Sequence, residues 1–346
     1  MSKIAINGLG RIGRTFLKLA LDHPELEVVA VNDISSPDNL AYLLRYDTVY
    51  GRYPMSVDVE GDGDRHWLRL GARRIRLLAE RAPERLPWRD LDVDVVVEAT
   101  GAFETYAAAR RHLDAGARHV VLTAPAKDQD GDDGRTVLMG VNPGDVGLSR
   151  ASSNGSCTTN SSASVVEILR ERLGIRKAML NTVHGYTATQ ALVDSPVRGS
   201  DVRRGRAAAQ NIVPSTTGAA IAVTRAIPAL RARFDGVALR VPVLAGSLSS
   251  IVLVAARQTS ADEINEILEQ AARDDRWRGV MATTRAPLVS SDIVGEPYGA
   301  IVDLSLTKVI DGDLCAIYSW YDNEFGFCTT LLAHVAAAAA SRAAAR

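Results

Sequence analysis

The chain has 346 residues, of which 47% are hydrophobic and 23% are charged, with a formal net charge of −1. This length is enough for two domains, and the composition is that of an ordinary globular protein. The near-zero net charge gives no broad positive surface, so nucleic acid and anionic membrane are not expected partners. No apolar run reaches the length of about 18 residues that a membrane helix needs.

The three cysteines are an odd number, and no two of them are spaced as Cys-x-x-Cys. This argues against a disulfide framework and against a zinc site, so we expect no metal and a reducing cytoplasmic setting. Cys315 and Cys328 fall in apolar segments and are expected to be buried small hydrophobes. The first residues enter a strand directly, which leaves no room for a signal peptide.

A dinucleotide-binding pattern opens the chain. Residues 2–7 form a short apolar strand, Gly8-Leu9-Gly10-Arg11-Ile12-Gly13 follows, and a helical pattern covers 14–21. A second strand at 27–31 ends in Asn32-Asp33, so an acid stands about 20 residues beyond the last glycine. The three glycines are expected to allow a tight turn, the approach of a pyrophosphate to the backbone and close helix–strand packing.

Asp33 indicates which nicotinamide cofactor to expect. Its carboxylate can accept hydrogen bonds from the adenosine ribose hydroxyls, and its charge would repel a 2′-phosphate. The sequence therefore predicts NAD, with NADP as the weaker alternative.

The next segments continue the alternation of strands and helices. Strands are expected at Val93–Glu98, His119–Thr123 and Thr136–Val141, and a helix at Tyr106–Ala115 lies between the first two. Such alternation is typical of a doubly wound, mostly parallel sheet. We therefore predict an α/β Rossmann domain in the first part of the chain.

A cysteine at the start of a predicted helix is the main catalytic signal. Ser152–Gly155 is expected to be a polar turn, Cys157 follows it, and a helical pattern covers 161–173. Unpaired N–H groups and the macrodipole at a helix N-terminus favour negative charge, which predicts a lowered thiol pKa and a thiolate near neutral pH. His184 stands near the end of the next apolar run, and we predict that the two residues act as nucleophile and base.

Beyond Cys157 the pattern changes to longer strands with fewer helices, which predicts an α+β domain with a mainly antiparallel sheet. The clearest helix is Ser260–Arg273, with Ser260 as N-cap and Glu263 at the third helical position. An alanine-rich helix is expected at Asn323–Arg346. The strands are expected at Ala178–Tyr186, Val237–Val243, Leu248–Arg257, Ala300–Val309 and Leu314–Trp320.

Four motifs in collinear order resemble those of phosphorylating glyceraldehyde-3-phosphate dehydrogenases. They are Ser-Asn-Gly-Ser-Cys-Thr-Thr-Asn (153–160), Thr-Val-His-Gly-Tyr-Thr-Ala-Thr-Gln (182–190), Arg-Ala-Ala-Ala-Gln-Asn-Ile-Val-Pro-Ser-Thr-Thr-Gly-Ala-Ala (206–220) and Trp-Tyr-Asp-Asn-Glu-Phe-Gly (320–326). The resemblance runs from Lys3 to about Leu332. It implies a Rossmann domain of 1–156 with 323–346, a catalytic domain of 157–322, and a homotetramer.

The resemblance also implies a reaction. Glyceraldehyde 3-phosphate and inorganic phosphate would be converted to 1,3-bisphosphoglycerate with reduction of NAD, as in glycolysis or gluconeogenesis. The intermediates would be a thiohemiacetal and a thioester on Cys157, with His184 as the base.

Binding roles follow residue by residue from the same motifs. Thr187 and Arg240 are implied for the phosphate of the substrate, and Asn160 for ordering the active loop. The residues implied for inorganic phosphate are Ser156, Thr158, Thr217 and Gly218. The implied cofactor contacts are Arg11 and Ile12 to the pyrophosphate and adenosine, Thr100, Phe103 and Thr123 on the nicotinamide side, and Asn323 to the carboxamide.

Several positions depart from the common family sequence. Ser161 stands where many members have a second cysteine, and Phe327 where a tyrosine is common. Ser195 stands where NAD-specific members often carry leucine, while Pro196 is retained, so these two signals on cofactor preference conflict. The loop after the histidine carries extra residues near Arg198–Asp201. One hypothesis is therefore an inhibitor-resistant isozyme with a reshaped pocket, which equal inactivation of this enzyme and an ordinary member by thiol-directed compounds would remove.

Two other functions stay open. An erythrose-4-phosphate dehydrogenase would share the cysteine and histidine but would work without phosphorolysis, so NADH formation with and without phosphate separates the two. The second is a catalytically idle nucleotide- or RNA-binding protein on the same fold. A Cys157→Ser variant that keeps the main activity would support that second function.

Overall fold

The computed structural model describes residues 1–62, 65–197 and 200–343, and the chain forms two compact units. The first unit consists of Met1–Val137, Pro143–Gly155 and the chain from Leu331 onward. The second consists of Leu138–Asn142 and Ser156–Thr330. The sequence-based division at residues 156 and 323 stays a prediction.

Strands and helices alternate through much of the first unit. Its helices are α1 (Arg11–Leu21), α2 (Pro37–Arg45) and α3 (Tyr106–Asp114), with 3-10 turns at Pro83–Arg85 and Pro143–Leu148. Its strands are β1 (Ser2–Asn7), β2 (Leu26–Asn32), β3 (Tyr46–Asp47), β4 (Gly51–Arg52), β5 (Val57–Asp62), β6 (Arg65–Leu70), β7 (Arg73–Leu78), β8 (Val95–Glu98), β9 (His119–Leu122), β10 (Arg135–Thr136) and β11 (Ala151–Ser153).

The main sheet of this unit has nine strands in the order β10-β11-β9-β8-β1-β2-β7-β6-β5. Neighbours run parallel from β10 to β7, and only the pairs of β6 are antiparallel. β8 and β9 are buried along their whole length, because parallel strands are covered on both faces. The predicted doubly wound, mostly parallel sheet is confirmed. Since β1 lies between β2 and β8, the loops after β1 and β8 meet at one edge, where such sheets bind ligands.

The strand expected at Thr136–Val141 is wrong beyond its first residue. Only Arg135–Thr136 pairs in the sheet. The N–H groups of Val141 and Asn142 both donate to the Leu138 carbonyl at 3.1 Å, which closes a turn. The apolar run that suggested a strand reflects the burial of this turn.

The polar turn expected at Ser152–Gly155 is wrong in its first half, which belongs to β11. Ser152 and Ser153 are fully buried there. The Ser153 Oγ donates to the Ala124 carbonyl at 2.7 Å, and the Ser152 Oγ lies 2.8 Å from His334 Nε2. Serines tolerate burial in a strand when their hydroxyls are hydrogen-bonded in this way.

The second unit has longer strands, as the sequence predicts. Its helices are α4 (Cys157–Leu173), α5 (Ala219–Ala226), α6 (Ala261–Arg273) and the first residues of α7 (Phe325–Ala343), with 3-10 turns at Val202–Gly205, Pro228–Leu230, Asp275–Trp277 and Ser290–Ile293. Its strands are β12 (Ile175–Gly185), β13 (Val213–Ser215), β14 (Phe234–Val241), β15 (Ser247–Ala255), β16 (Met281–Thr284), β17 (Ala300–Asp303), β18 (Lys308–Ile310) and β19 (Leu314–Tyr321).

These strands form an eight-stranded sheet with the path β13-β14-β12-β15-β19-β17-β16, and β18 pairs with β19. The pairs β12–β14 and β16–β17 are parallel and the remaining pairs are antiparallel. The predicted mainly antiparallel sheet is therefore confirmed. α4 packs against β15, β17 and β19 and also against α5 and α6, so the helix that begins with Cys157 lies in the core of this unit.

The single strand expected at Ala300–Val309 is wrong, because the segment forms β17 and β18 with a turn between them. Asp303 starts that turn: its Oδ1 accepts hydrogen bonds from the Ser305 N–H at 3.1 Å and from the Ser305 Oγ at 2.6 Å. A carboxylate that bonds the backbone two residues on is a common turn signal, and here it outweighs the strand propensity around it.

Two predicted helices are found with small shifts at their ends. Ser260 caps α6, since its Oγ accepts the Glu263 N–H at 3.1 Å as predicted. The C-terminal helix begins at Phe325 instead of Asn323, and residues 344–346 lie outside the described chain. Within the described ranges, no helix is both long and apolar enough to cross a membrane.

Candidate active site and dinucleotide cavity

Cys157 is the first residue of α4. The Ser156 Oγ accepts the Thr159 N–H at 3.1 Å, and the Thr159 Oγ1 accepts the Ser156 N–H at 3.0 Å. Asn160 Nδ2 donates to the Ser156 carbonyl at 3.0 Å, which ties the first turn of the helix to its cap. This reciprocal cap fixes the thiol at the helix N-terminus.

His184 faces the thiol from β12. Side chains alternate along this strand, with Thr182 and His184 buried and Val183 exposed, because successive residues of a strand point to opposite faces. His184 Nε2 lies 3.3 Å from Cys157 Sγ, a hydrogen-bonding distance for sulfur. The fold thus brings together the two residues that the sequence predicts as nucleophile and base.

The ionisation of this pair differs from the sequence-based expectation. Burial raises the pKa of the Cys157 thiol and outweighs the Arg240 charge and the Thr158 hydrogen bonds, which lower it. Burial lowers the pKa of His184 to about 3, and the Arg240 charge acts in the same direction. The predicted lowering of the thiol pKa is therefore wrong. At neutral pH the pair is a thiol beside a neutral imidazole.

Arg240 lies beside His184 on β14, where the two residues are partners in the parallel register. Its Nη1 is 2.7 Å from His184 Nδ1 and 3.2 Å from the Gly185 carbonyl oxygen. That carbonyl oxygen is 2.6 Å from the same Nδ1. The Nδ1 side of the imidazole, opposite the thiol, is thus held in place, and a guanidinium charge lies next to the ring.

Tyr321 belongs to the site although sequence reasoning assigned it no role. Its hydroxyl is 2.8 Å from Thr158 Oγ1 and 2.7 Å from Thr182 Oγ1, and its ring packs edge-on against His184 with centroids 5.9 Å apart. Burial raises the pKa of the Tyr321 phenol, so it acts as a neutral hydrogen-bonding group. Its position within the Trp-Tyr-Asp-Asn-Glu motif was the available signal.

The residues expected to bind phosphate lie in several segments of the second unit. Ser156 and Thr158 flank Cys157, and Arg240 lies beside His184. Thr187 follows β12, with its Oγ1 3.0 Å from Thr189 Oγ1. Thr217 and Gly218 stand before α5, and the Thr217 Oγ1 accepts the Ala219 N–H at 3.1 Å.

Arg204 joins two of these segments, and sequence reasoning missed it. Its Nη1 donates to Thr189 Oγ1 at 3.1 Å, and its Nη2 donates to the Thr216 carbonyl at 3.3 Å. Its charge is also the smallest of the causes that lower the pKa of His184. The basic run around it looks like a solvated face in the sequence. The extra residues expected in this loop include Arg198 and Gly199, which lie outside the described chain.

A cavity of about 370 Å³ lies at the edge of the parallel sheet in the first unit. Its wall includes Gly8, Gly10, Asp33, Thr100 and Phe103, all predicted to contact the cofactor. Asp33 is anchored there, since its Oδ2 accepts the Leu9 N–H and its Oδ1 the Ser35 N–H, both at 2.8 Å.

The glycines of the fingerprint leave the backbone open to a ligand. A Cβ on Gly8, where φ is +98°, would lie 2.8 Å from the Ala99 carbonyl carbon, and one on Gly13 would lie 1.9 Å from the Gly8 oxygen. A Cβ on Gly10 would meet nothing within 4 Å, so the missing side chain leaves room beside the start of α1. Open backbone at a helix N-terminus is what a pyrophosphate needs, and these residues fit a dinucleotide.

The other predicted cofactor residues occupy different places. Thr100 and Phe103 share the cavity with Asp33, which favours an adenosine-side position over the expected nicotinamide-side one. The Arg11 guanidinium pairs with Asp47 at 2.7 Å, so a pyrophosphate contact from Arg11 or Ile12 would come from the backbone.

Thr123 and Asn323 do not line this cavity. The Thr123 Oγ1 donates to the Glu98 carbonyl at 3.0 Å. Asn323 is buried in the second unit, where its Oδ1 accepts the Gly246 N–H at 3.0 Å. Its amide hydrogens are then the group it could offer to a carboxamide. Among the residues that the structure describes, no group of three or more His, Cys, Asp or Glu side chains could hold a metal ion.

The doubly wound sheet with its glycine-lined cavity places the chain among the dinucleotide-binding proteins of the Rossmann class. The comparison with known families names the particular group. Residues 2–106 match the NAD binding domain of glyceraldehyde 3-phosphate dehydrogenase, and residues 156–323 match its C-terminal domain. The chain therefore belongs to the glyceraldehyde-3-phosphate dehydrogenase family, and the predicted family is confirmed.

Curated relatives agree along nearly the whole chain. The glyceraldehyde-3-phosphate dehydrogenase of Mycobacterium tuberculosis is 45% identical over 337 residues, which covers 95% of this chain and 96% of the relative. Glyceraldehyde-3-phosphate dehydrogenase 2 of Streptomyces arenae is 44% identical over 333 residues, with the same coverage. The corresponding enzyme of Streptomyces coelicolor is 41% identical over 333 residues.

Proposed function

We propose that this chain catalyses the oxidative phosphorylation of glyceraldehyde 3-phosphate with NAD, through a thioester on Cys157. The observation that carries the proposal is the 3.3 Å contact between Cys157 Sγ and His184 Nε2 at the start of α4. A thiol with an adjacent neutral base is the arrangement that nucleophilic catalysis on a carbonyl requires. The relatives reported above are named as dehydrogenases of glyceraldehyde 3-phosphate, which agrees with the aldehyde substrate and its oxidation.

The first step is addition of the thiol to the aldehyde. The sulfur forms a bond to the carbonyl carbon, and the thiol proton passes through His184 Nε2 to the carbonyl oxygen, giving a thiohemiacetal. A neutral His184 can take this proton in the tautomer whose Nδ1–H donates to the Gly185 carbonyl oxygen 2.6 Å away, because Nε2 then has a free lone pair.

Oxidation and phosphorolysis complete the cycle. Bound NAD would accept the hydride from the substrate carbon. His184 takes the hydroxyl proton as the C=O bond forms, which leaves a thioester on Cys157. An oxygen of inorganic phosphate attacks the thioester carbonyl, the C–S bond breaks, and His184 returns a proton to the sulfur. The thioester keeps part of the oxidation energy for the acyl phosphate.

These reaction steps require two bound anions. We assign the phosphate of the substrate to Thr187 and Arg240 and inorganic phosphate to the hydroxyls and N–H groups of the remaining predicted residues, which are Ser156, Thr158, Thr217 and Gly218. Arg204 links the Thr189 and Thr216 segments and can hold the two loops in register. A phosphate on Arg240 would offset one cause of the lowered His184 pKa, so substrate binding would make His184 a stronger base.

NAD would be held in the first unit by Gly8, Gly10 and Gly13 at the pyrophosphate and by Asp33 at the adenosine ribose. Thr100 and Phe103 would contact adenosine, and we keep Thr123 and Asn323 as contacts toward the nicotinamide. Asp33 faces the cavity with an anchored carboxylate, which supports NAD over NADP.

Erythrose-4-phosphate dehydrogenase is not favoured, because the family match and the relatives' names agree on the glyceraldehyde 3-phosphate enzyme. The test is NADH formation from glyceraldehyde 3-phosphate with and without inorganic phosphate, and the same pair of assays with erythrose 4-phosphate. We expect sustained turnover only with glyceraldehyde 3-phosphate and phosphate together. Phosphate-independent turnover on either aldehyde would reject the phosphorylating reaction.

A homotetramer is part of the proposal. One face of the second unit's sheet carries apolar side chains that are exposed to water in the single chain. Met179 is 56%, Val183 38% and Val237 36% exposed. Apolar strand faces of this kind are typical of subunit interfaces. Light scattering after gel filtration should give four subunits, and Val237→Glu should give smaller species. A wild-type monomer at micromolar concentration would reject the assembly.

A cytoplasmic setting is also proposed. None of the three cysteines forms a disulfide, and Cys315 and Cys328 are fully buried as predicted. Cysteines that remain thiols are usual for proteins of reducing compartments. Fractionation of cells that produce the protein would test the location.

A further inference from the structure

A fully buried hydrogen-bond chain lies behind the dinucleotide cavity, and the proposed chemistry does not use it. It consists of Trp88 and His112, both 0% exposed, and Glu98, which is 3% exposed. Burying a carboxylate in a sheet costs free energy unless the group is fully hydrogen-bonded. A glutamate at the end of a buried parallel strand therefore needs a reason.

The direction of the chain follows from the chemistry of its first member. Trp88 Nε1 can only donate, and it lies 2.9 Å from His112 Nδ1, so Nδ1 is the acceptor. The neutral ring then carries its proton on Nε2, which lies 3.1 Å from Glu98 Oε2. His112 therefore donates to Glu98, and the indole fixes the tautomer that allows it.

Glu98 accepts hydrogen bonds from the end of β1 and from the loop after β8, and both segments face the cavity. Its Oε2 also accepts a hydrogen bond from Asn7 Nδ2 at 2.5 Å. Its Oε1 accepts the Thr100 N–H at 2.8 Å and the Thr100 hydroxyl. Asn7 and Thr100 both line the cavity. An ionised carboxylate only accepts hydrogen bonds, and Glu98 has four donors. Three of the four come from Asn7 and Thr100, so residues of the ligand site offset most of the cost of burying the charge.

The chain extends to the segment that carries Asp33. Asn7 Oδ1 accepts a hydrogen bond from Asn32 Nδ2 at 2.7 Å, and the Asn32 carbonyl accepts the Gly8 N–H at 2.7 Å. On the other side, Phe103 packs edge-on against the His112 ring, with centroids 6.3 Å apart. One buried carboxylate thus joins the ends of β1, β2 and β8, each of which contributes to the cavity wall.

We propose that Glu98 is a positioning residue for the adenosine half of the dinucleotide site. Its carboxylate, oriented by the Trp88–His112 pair, holds the Thr100 loop against the fingerprint loop at the spacing the ligand needs. The proposal rests on the assignment of this cavity to NAD. A glutamate with a merely structural role would change stability and leave ligand affinity per folded site unchanged.

The test is the affinity of the Glu98→Gln variant for ADP-ribose, measured by calorimetry. The amide has nearly the same shape as the carboxylate, but its NH₂ group takes the place of Oε2. There it faces two other donors, Asn7 Nδ2 and His112 Nε2, so these hydrogen bonds are lost. His112 cannot change tautomer, because the Trp88 N–H occupies Nδ1. We expect the Kd for ADP-ribose to rise on the order of tenfold, as for loss of one charged-group hydrogen bond. The KM for NAD should rise similarly, with kcat at saturation within about twofold.

A second substitution tests the direction of the hydrogen bonds. Trp88→Phe removes the donor at Nδ1, so His112 can move its proton there and accept a hydrogen bond from the amide that the variant carries at position 98. In the Glu98→Gln background, Trp88→Phe should therefore recover part of the lost affinity for ADP-ribose, although it removes a buried hydrogen bond. A further loss of affinity in the double variant would overturn the proposed relay.

Controls separate positioning from stability. His334→Gln alters another buried polar cluster of the same unit, beside Ser152, and should lower the melting temperature without changing the Kd for ADP-ribose. If Glu98→Gln does not fold, His112→Phe removes a donor to Glu98 from outside the cavity wall and should raise the Kd. Unchanged affinity in the folded Glu98 or His112 variant overturns the proposal. Failure of wild-type protein to bind ADP-ribose would instead reject the cavity's assignment to NAD.

Discussion

Cys157 and His184 are both kept neutral by the protein around them. Burial disfavours the charged form of each group, and the Arg240 guanidinium opposes burial at the thiol but adds to it at the imidazole. In the proposed mechanism the nucleophile is therefore generated in the encounter with the aldehyde, when His184 takes the thiol proton. The position of Cys157 at a helix N-terminus predicted a thiolate before substrate binds. That prediction included the effect of the helix dipole and left out the cost of desolvating the charge.

Alkylation of Cys157 by iodoacetamide should report this neutral state. Because the thiol pKa is raised, the rate should keep rising with pH above 9 instead of levelling off near neutrality. Arg240→Gln removes a charge that lowers the thiol pKa, so alkylation at pH 8 should be slower in this variant. A rate that is already constant from pH 6 upward would show a thiolate–imidazolium pair and contradict the account.

Arg204 should affect phosphate binding more than the chemistry. Arg204→Gln removes the guanidinium that bridges Thr189 and Thr216, and we expect a KM for inorganic phosphate raised on the order of tenfold. The matched control is Arg203→Gln, since Arg203 is exposed and shares its ion-pair partner Asp201 with Arg204. Equal effects of both substitutions on the KM for phosphate would argue against a specific role for Arg204.

At the scale of elements, Tyr321 connects the parts that carry the reacting groups. β19 presents its hydroxyl to Thr158 in the first turn of α4 and to Thr182 in β12, two residues before His184. The distance between thiol and imidazole is thus set by a helix and two strands and does not depend on loops. Sites built on such elements hold their geometry well.

Tyr321→Phe should loosen this connection. The two threonine hydroxyls lose a buried partner, which should destabilise the protein by about 1–3 kcal/mol. It should also lower kcat more than it changes the KM for NAD. Thermal melting and steady-state kinetics check both effects, with Tyr318→Phe on the half-buried face of the same strand as control. A Tyr321→Phe enzyme with wild-type kcat would reject the connection.

The sequence predicts most elements of both sheets because their patterns are local. The fingerprint from Gly8 to Asp33 and the cap at Ser260 depend on neighbours in the chain, and both are found. The segment after Thr136 misleads because its apolar run is buried in a turn, and β11 misleads because its serines have distant partners: Ser152 is satisfied by His334, at the other end of the chain. The antiparallel strands β5 to β7 escape prediction because charged side chains mask their alternation.

The residues of the candidate site also fall into those that the sequence predicts and those that it does not. Cys157, His184 and the glycines are visible in motifs, because their chemistry requires those residue types at those places. Arg204 is not visible, since a lone arginine in a basic run has no local signal of its contacts. The pKa of Cys157 could not be read from the sequence either, because desolvation depends on how α4 is packed in the core.

Two buried histidines make the whole molecule sensitive to acid. Burial lowers the pKa of both His184 and His334 to about 3, below the ordinary value of 6.5. Between these values the unfolded chain binds more protons than the folded one, so folding stability falls as pH drops from about 6.5 toward 3. Above pH 7 both groups are neutral in both states and contribute no pH dependence.

His334→Gln should make this loss of stability less steep. Removing one such histidine takes about 1.4 kcal/mol per pH unit from the slope in this window. Melting temperatures measured from pH 7 to 4 should therefore fall less in the variant than in wild type, even if the variant is less stable at pH 7. Parallel curves for the two proteins would show that His334 does not bind a proton on unfolding.

The most direct measurement for the whole account is a rapid-mixing experiment without phosphate. Enzyme mixed with NAD and glyceraldehyde 3-phosphate should give a burst of NADH equal to the concentration of Cys157, and mass spectrometry should find the acyl group on that cysteine. Added inorganic phosphate should then start steady turnover, and Cys157→Ser should show neither burst nor turnover. A burst that survives in Cys157→Ser, or steady NADH formation without phosphate, would contradict covalent phosphorolysis at this site.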